Sequence, residues 1–290
     1  MTMYGAIEAG GTKMVCAVGD ETGKIIESTV IPTETPALTM PQIIEWFKKF
    51  DIKALGLACF GPIDLHEESE TYGYITSTPK LEWENFNILG CLKEALNVPV
   101  GFDTDVNGAI LGEMAYGSAK GLTDAVYITI GTGIGGGVLS NGKLLHGMLH
   151  PEIGHMFIPR HPKDDFTGLC PYHGSCFEGL ASGPSIESRW GAPGAELSDR
   201  EEVWDLEAYY IAEAITAVTM VLSPQRFILG GGVMKQEQLF PMIRRYVGQM
   251  IAGYLRTKEL EDLNSFIVPS SLQGNQGILG ALKLAIDAAE

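Results

Sequence analysis

Glu152-Ile-Gly-His155, followed by Cys170-Pro-Tyr-His173-Gly-Ser-Cys176, sets two imidazoles, two thiols and a carboxylate along one stretch of chain. Two thiolates and two imidazoles are the donor set of a tetrahedral zinc site, and a C-x-x-H-x-x-C loop is short enough to wrap one ion. His155, Cys170, His173 and Cys176 are therefore the candidate zinc ligands. Four protein donors leave no open coordination position, so a zinc held this way is structural. A Cys170–Cys176 disulfide, or small buried residues in a loop without metal, are the competing readings. The second chemical group is Asp105, in Asp103-Thr-Asp-Val-Asn107, where a predicted strand ends and a helix begins. Open α/β sheets bind ligands at the carboxyl ends of their strands, which makes Asp105 the catalytic candidate. Asp and Asn also cap helices, so Asp105 competes as an N-cap unless Asn107 caps instead.

Three glycine clusters add backbone chemistry. Gly10-Gly11-Thr12-Lys13 and the run from Gly131, Thr132 and Gly133 to Gly137 each separate two predicted strands, where N–H groups approach phosphate with no Cβ in the way. Ordinary hairpin turns use glycine in the same way. Neither cluster has the Gly-Lys-Ser/Thr helix opening of a P-loop. Gly230-Gly231-Gly232-Val233-Met234 follows a predicted strand and precedes a helix, the setting in which nucleotides meet helix N-termini.

The elements that must position these groups alternate. Residues 4–19 read as a strand, a glycine turn and a second strand, and 24–32 as a third. An amphipathic segment over 41–50, a strand over 54–60, a helix over 88–96 and a strand over 98–102 complete an α/β unit. The pattern restarts with strands over 125–130, 134–139 and 143–146, so the chain reads as one duplicated unit. Ser198-Asp-Arg-Glu201 fits a capping box that opens a helix stopping before Pro224. The tail from Gly274 to Ala289 reads as a small-residue helix that packs closely on the first domain.

At 290 residues the chain has room for one large or two ordinary domains with a real core. A formal charge of −16 argues against nucleic-acid partners. The charge of a small anionic substrate would have to be met locally, by backbone N–H groups or a bound cation. Five cysteines are an odd number, and Cys16, Cys59 and Cys91 lie in apolar runs as reduced thiols do. No signal-peptide or membrane-span pattern opens the chain, so a cytoplasmic protein without a membrane partner is expected. The pairs Asp164-Asp165 and Glu201-Glu202 read as solvated surface.

Taken together, Ala9-Gly-Gly-Thr-Lys13, Thr104-Asp-Val-Asn107, the run from Ile130 to Gly137, Glu152-Ile-Gly-His155, the Cys170–Cys176 loop, Glu178 with Ser182-Gly183-Pro184, and Leu229-Gly-Gly-Gly-Val233 resemble the ROK group of sugar kinases (repressors, open-reading-frame proteins and kinases). The resemblance spans nearly the whole chain. It implies a duplicated ribonuclease-H-like, actin-like ATPase fold with two domains around a cleft. Residues 1–115 with 275–290 would form a small N-terminal α/β domain, and 116–274 a large C-terminal α/β domain carrying the zinc loop 155–176. Glu8, where the group has Asp, and the stretch from Ile75 to Trp83 resemble the zinc-containing fructokinase branch.

The activity implied is transfer of the ATP γ-phosphoryl group to the 6-hydroxyl of fructose, with Mg2+ and a structural Zn2+, in a homodimer. Asp105 would take the hydroxyl proton. Asn107, Glu152, His155 and Glu178 would hold sugar hydroxyls, with Gly61 and Pro62 near the ring. Gly10, Gly11, Thr12, Lys13, Thr132 and Gly133 would line the phosphates, and Gly183, Pro184, Gly230, Gly231, Gly232, Val233 and Met234 the adenosine side. Glucose, mannose or an N-acetylhexosamine as substrate, and a non-catalytic sugar sensor, are the alternatives.

Overall fold

The computed structural model describes residues 2–78 and 80–290. The chain forms two compact units, the first made of residues up to 120 with 146–150 and 271–290, the second of 121–145 and 151–270.

In the first unit, β1 (Met3–Ala9), β2 (Lys13–Gly19) and β3 (Ile25–Pro32) form an antiparallel meander. β1 lies between two neighbours and is nearly all buried, hence its apolar run. β3 is the sheet edge, and its exposed Glu27 and Ser28 discourage pairing with another chain. Helix α1 (Pro36–Phe47) begins earlier than the apolar period suggested, because Pro36 suits a first turn that needs no N–H donor. β4 (Ile52–Cys59) runs parallel to β1. A short pair, β5 (Tyr74–Ile75) with β6 (Phe86–Asn87), leads into α2 (Ile88–Leu96), capped by Asn87, whose side chain accepts from the Gly90 N–H at 2.7 Å. β7 (Val100–Thr104) lies parallel to β4 and opens directly into α3 (Asp105–Tyr116).

The order is β3-β2-β1-β4-β7. One core cluster of this unit gathers Ile7, Met14, Phe47, Leu57 and Trp83. Another is closed by the C-terminal helix, Gln276–Ala288, whose Ile278, Ala281, Leu282 and Ala285 pack on Tyr4, Ala6, Ala17 and Ala58. The approach is so close that a Cβ on Gly280 would lie 1.6 Å from the Gly108 carbonyl oxygen, which only glycine avoids.

In the second unit, β8 (Ala125–Ile130), β9 (Ile134–Ser140) and β10 (Lys143–Leu144) form the meander. There follow α4 (Phe177–Ala181), α5 (Gly183–Trp190), α6 (Glu201–Leu222), β11 (Arg226–Gly230), α7 (Leu239–Ile251), α8 (Lys258–Glu261), α9 (Leu263–Phe266) and β12 (Ile267–Pro269), before the C-terminal helix, α10. The order β10-β9-β8-β11-β12, with β8, β11 and β12 parallel, repeats that of the first sheet. The core joins Val126, Ile128, Phe177, Trp204, Tyr210 and Phe227. This is the duplicated α/β architecture expected from the sequence.

Local expectations differ in four further places. β10 ends at Leu144, so His146 is not in a strand. The capping box at Ser198 does not form: Arg200 is the N-cap residue of α6 and instead pairs with Glu202 at 2.7 Å. Gly230–Gly232 feeds a single 3-10 turn, Val233–Lys235, and the next helix starts only at Leu239. Asp164 is not solvated; its carboxylate is buried 3.2 Å from Arg189 and accepts from the Tyr210 hydroxyl at 2.6 Å. Among the described residues no helix is long and apolar enough to cross a membrane.

Candidate functional site

β7 delivers its carboxyl end straight into α3, and the residue that caps the helix is neither Asp105 nor Asn107. Thr104 does so, its hydroxyl accepting from the Asn107 N–H at 3.1 Å. Asp105 is thereby left as the first helical residue, with Oδ1 accepting from the Val106 N–H at 2.8 Å. Desolvation is the dominant influence on this carboxyl; it raises the pKa from 3.8 to about 6 against the backbone N–H bonds of Val106 and Asp105 that lower it. A carboxylate with a pKa near the working pH is the form a general base needs. Glu8 on β1 is pushed to about 7, first by burial and then by the charge of Asp105, with Lys13 and the Ile278 backbone pulling it back. Ionising both acids together is unfavourable, and a nearby cation would relieve the conflict.

Glu8 also lines a cavity of about 290 Å³ with Gly10, Gly11, Thr12 and Lys13. The turn is closed by the Gly10 N–H donating to the Lys13 carbonyl at 3.1 Å, and Gly11, Thr12 and Lys13 are exposed. Gly61 and Pro62 follow β4, and a Cβ on Gly61 would come within 3.3 Å of the His150 ring. In the 75–83 loop Trp83 is buried and donates to the Glu34 carbonyl at 2.6 Å; Pro79 lies outside the described residues.

A network the sequence did not reveal stands on the same β7–α3 junction. Buried Asp103 accepts from the Thr104 N–H at 2.8 Å and from the Asn107 side-chain amide at 2.7 Å through Oδ1, and pairs with His146 Nε2 at 2.8 Å through Oδ2. The hydrogen bond that the His146 ring donates to Asp103 holds the His146 pKa above its usual 6.5. Asn107 is fully buried, and its amide nitrogen faces Asp103 and, at 3.4 Å, His146 Nε2. The spacing of Asp103 and Asn107 was visible; that His146 returns to them was not.

In the second unit three separately noted clusters converge. The Gly183 N–H donates to the Gly131 carbonyl at 2.7 Å, so Gly183-Pro184, at the start of α5, abuts the Gly131-Thr132-Gly133 turn. Gly231 adopts φ +93°, and a Cβ there would lie 2.3 Å from the Ile130 carbonyl oxygen, which brings Gly230–Met234 against the same turn. Glu178, on α4, accepts from the Ile134 N–H at 2.8 Å, and a Cβ on Gly133 would meet its carboxylate at 2.8 Å. Glu152 precedes the 3-10 turn Ile153–His155 and is exposed.

The donor atoms of His155, Cys170, His173 and Cys176 all lie within 4.8 Å of one another. Cys170 Sγ is 3.8 Å from His155 Nδ1 and 3.7 Å from His173 Nδ1, and Cys176 Sγ is 3.6 Å from His155 Nδ1. Zinc bonds of about 2.3 Å to sulfur and about 2.0–2.1 Å to nitrogen, at the tetrahedral angle, give S···N edges of about 3.6 Å. The residues fit the ion. A small hairpin makes this fit, with Cys170 and Gly174 exchanging backbone hydrogen bonds of 3.2 and 2.9 Å and Gly174 turning at φ +60°. Cys170 and Cys176 are free thiols, which removes the disulfide reading.

The ROK family model matches residues 4–288. A protein of Bacillus subtilis (strain 168) is 52% identical over 289 residues, covering 99% of this chain and 97% of its own. The fructokinase of Pediococcus pentosaceus is 45% identical over 283 residues, covering 98% and 97%. The crystal structure of a ROK family glucokinase from Streptomyces griseus in complex with glucose and AMPPNP superposes with a TM-score of 0.75 at 23% identity, over 99% of both chains. The chain belongs to the ROK family.

Proposed function

We propose that this chain is an ATP-dependent fructokinase, moving the γ-phosphoryl group of ATP to the 6-hydroxyl of D-fructose to give fructose 6-phosphate and ADP. What carries the reading is similarity over nearly the full length to fructokinases, with the Pediococcus pentosaceus protein at 45% identity. The desolvated Asp105 carboxylate, with its pKa raised to about 6, supports it from the side of chemistry.

In the mechanism, Asp105 accepts the proton of the 6-hydroxyl as its oxygen attacks phosphorus in line. Phosphoryl transfer proceeds through a loose transition state, so most of the rate comes from positioning and charge stabilisation. Gly10 closes the turn, and the exposed backbone and side chains of Gly11, Thr12 and Lys13 offer donors to phosphate oxygens, as does the Thr132-Gly133 turn; Gly183-Pro184 and Gly230–Met234 shape the adenosine side. Mg2+ accompanies ATP, and Glu8 is a hard oxygen donor of the type this ion takes. Glu152, His155 and Glu178 hold sugar hydroxyls. The zinc ligands His155, Cys170, His173 and Cys176 hold a structural ion that ties His155 to the loop preceding Glu178. His155 presents Nδ1 to that cluster, so Nε2 is the nitrogen left for sugar.

Free cysteines and a need for ATP suit a cytoplasmic enzyme. A homodimer is proposed on the ground that two-fold dimers are the commonest oligomers. The test is coupled ADP release over a panel of hexoses. Fructose is expected to have the highest kcat/KM; a dominant preference for glucose or an N-acetylhexosamine overturns the substrate, and no ADP release with any sugar overturns the activity.

A further inference from the structure

We propose that His146, held by Asp103, is a further sugar-contacting residue, and that Asn107 acts behind the pair as a positioning residue. This rests on the reading of the chain as a hexose kinase. Asn107 has no exposed surface, its amide nitrogen is occupied by Asp103 and by His146 Nε2 at 3.4 Å, and its Oδ1 is buried without a hydrogen-bond partner among the described residues. A sugar hydroxyl cannot reach it as it stands. Asp103 is also buried, at 3% exposure, and both of its oxygens are engaged. His146 is the member of the network that meets solvent, with 39% of its side chain exposed.

His146 lines a cavity of about 180 Å³ within the first unit, together with Asp103. Phe102 and Ile63 give this cavity apolar wall, while His66, Glu67, Tyr72 and His150 add hydrogen-bond donors and acceptors. Apolar wall with a few donors and acceptors is the lining suited to a neutral polyhydroxy ligand. With Nε2 bound to Asp103, the ring has Nδ1 left, and no described residue pairs with it. A hydroxyl both donates and accepts, so it matches Nδ1 whether the imidazole is neutral or protonated. Asp103 fixes the ring orientation in the way carboxylates orient functional histidines elsewhere. Asn107, packed against Asp103 from α3, keeps that carboxylate in place.

The experiment is calorimetric titration, without ATP, of fructose and each of its monodeoxy analogues into the full chain and its variants. In the wild type, loss of the one hydroxyl that meets His146 weakens binding about tenfold, the scale of a hydrogen bond left unmade. In His146→Phe, fructose weakens by that factor and the same analogue binds no worse than fructose. His146→Gln, which keeps a donor and an acceptor, recovers part of the discrimination. Asp103→Ala abolishes it, and adding Asp103→Ala to His146→Phe costs nothing further, since residues acting through one contact are not additive. A His146→Phe protein that discriminates among the analogues as the wild type does overturns the contact, whatever its melting temperature. A wild type that binds fructose but transfers no phosphate defeats the kinase reading and leaves the contact to be judged on binding alone; a wild type that binds no hexose defeats both.

Discussion

Replacing Asp105 with Asn should make the protein a far poorer catalyst and a more stable fold. The isosteric amide removes the proton acceptor, and general-base catalysis is worth about two to four decades in kcat. The stability gain follows from the raised pKa. In the unfolded chain this carboxyl titrates at its ordinary 3.8, and in the fold at about 6, because burial penalises the charged form. Below pH 3.8 both states bind the proton and no penalty exists. Between 3.8 and about 6 the folded state binds more protons than the unfolded one, so stability falls as pH rises, and above 6 the loss is complete.

Two units at about 1.36 kcal/mol each set a ceiling of about 3 kcal/mol, and partial exposure of the side chain brings the working figure to about 1–3 kcal/mol. The neutral amide also withdraws the charge that helps raise Glu8. Coupled ADP release gives kcat, and denaturant unfolding at pH 8 and pH 5 gives stability. The variant should exceed the wild type at pH 8 by a margin that shrinks toward pH 5. A kcat within tenfold of wild type refutes the base assignment; a variant less stable at pH 8 refutes the desolvation argument.

With the wild type, kcat/KM should decline as pH falls through about 6, where Asp105 takes up the proton that blocks its role; a flat profile down to pH 5 contradicts this. Cys176→Ser should lower the zinc content measured by atomic emission from one ion per chain and reduce the melting temperature, because structural zinc contributes directly to folding free energy. Loss of activity with an unchanged melting temperature would mark the metal as catalytic instead. Gly231→Ala should destabilise by more than about 2 kcal/mol, since a side chain there is strained at φ +93° and strikes the Ile130 carbonyl. Wild-type-like unfolding of that variant would show the turn to be looser than described.

The parts of the site legible in sequence are those whose geometry is local. Cys170, His173 and Cys176 sit on one small hairpin, so their spacing almost dictates the cluster, and His155 needs only a short return. The glycine turns were legible for the same reason. At the β7–α3 junction the sequence offered Asp105 and Asn107 as caps and hid that Thr104, hydroxyl-bearing and in an extended conformation, would take the position. Its capture of the Asn107 N–H is what frees Asp105. Pairings between distant segments left no trace: His146 with Asp103, Glu178 with Ile134, and Asp164 with Arg189 each depend on tertiary return. Asp164 in particular looked like surface charge until the fold supplied Arg189 and Tyr210. The capping box at Ser198 met the composition rule, but α6 begins at Glu201 with Arg200 at the N-cap, which leaves Ser198 two residues too early to cap it.

The helix α10 has a consequence for how the chain is made. It closes one core cluster of the first unit, seating Ile278, Ala281 and Leu282 on strands that leave the ribosome long before it. Residues 121–270 emerge in between and hold nearly everything the second unit needs. The second unit is therefore free to fold during synthesis, while the first waits, with Ala6, Ala17 and Ala58 uncovered, for residues 271–290. Chain order and folding order run opposite, and a ribosome stalled near residue 270 would display an N-terminal half still open to proteases.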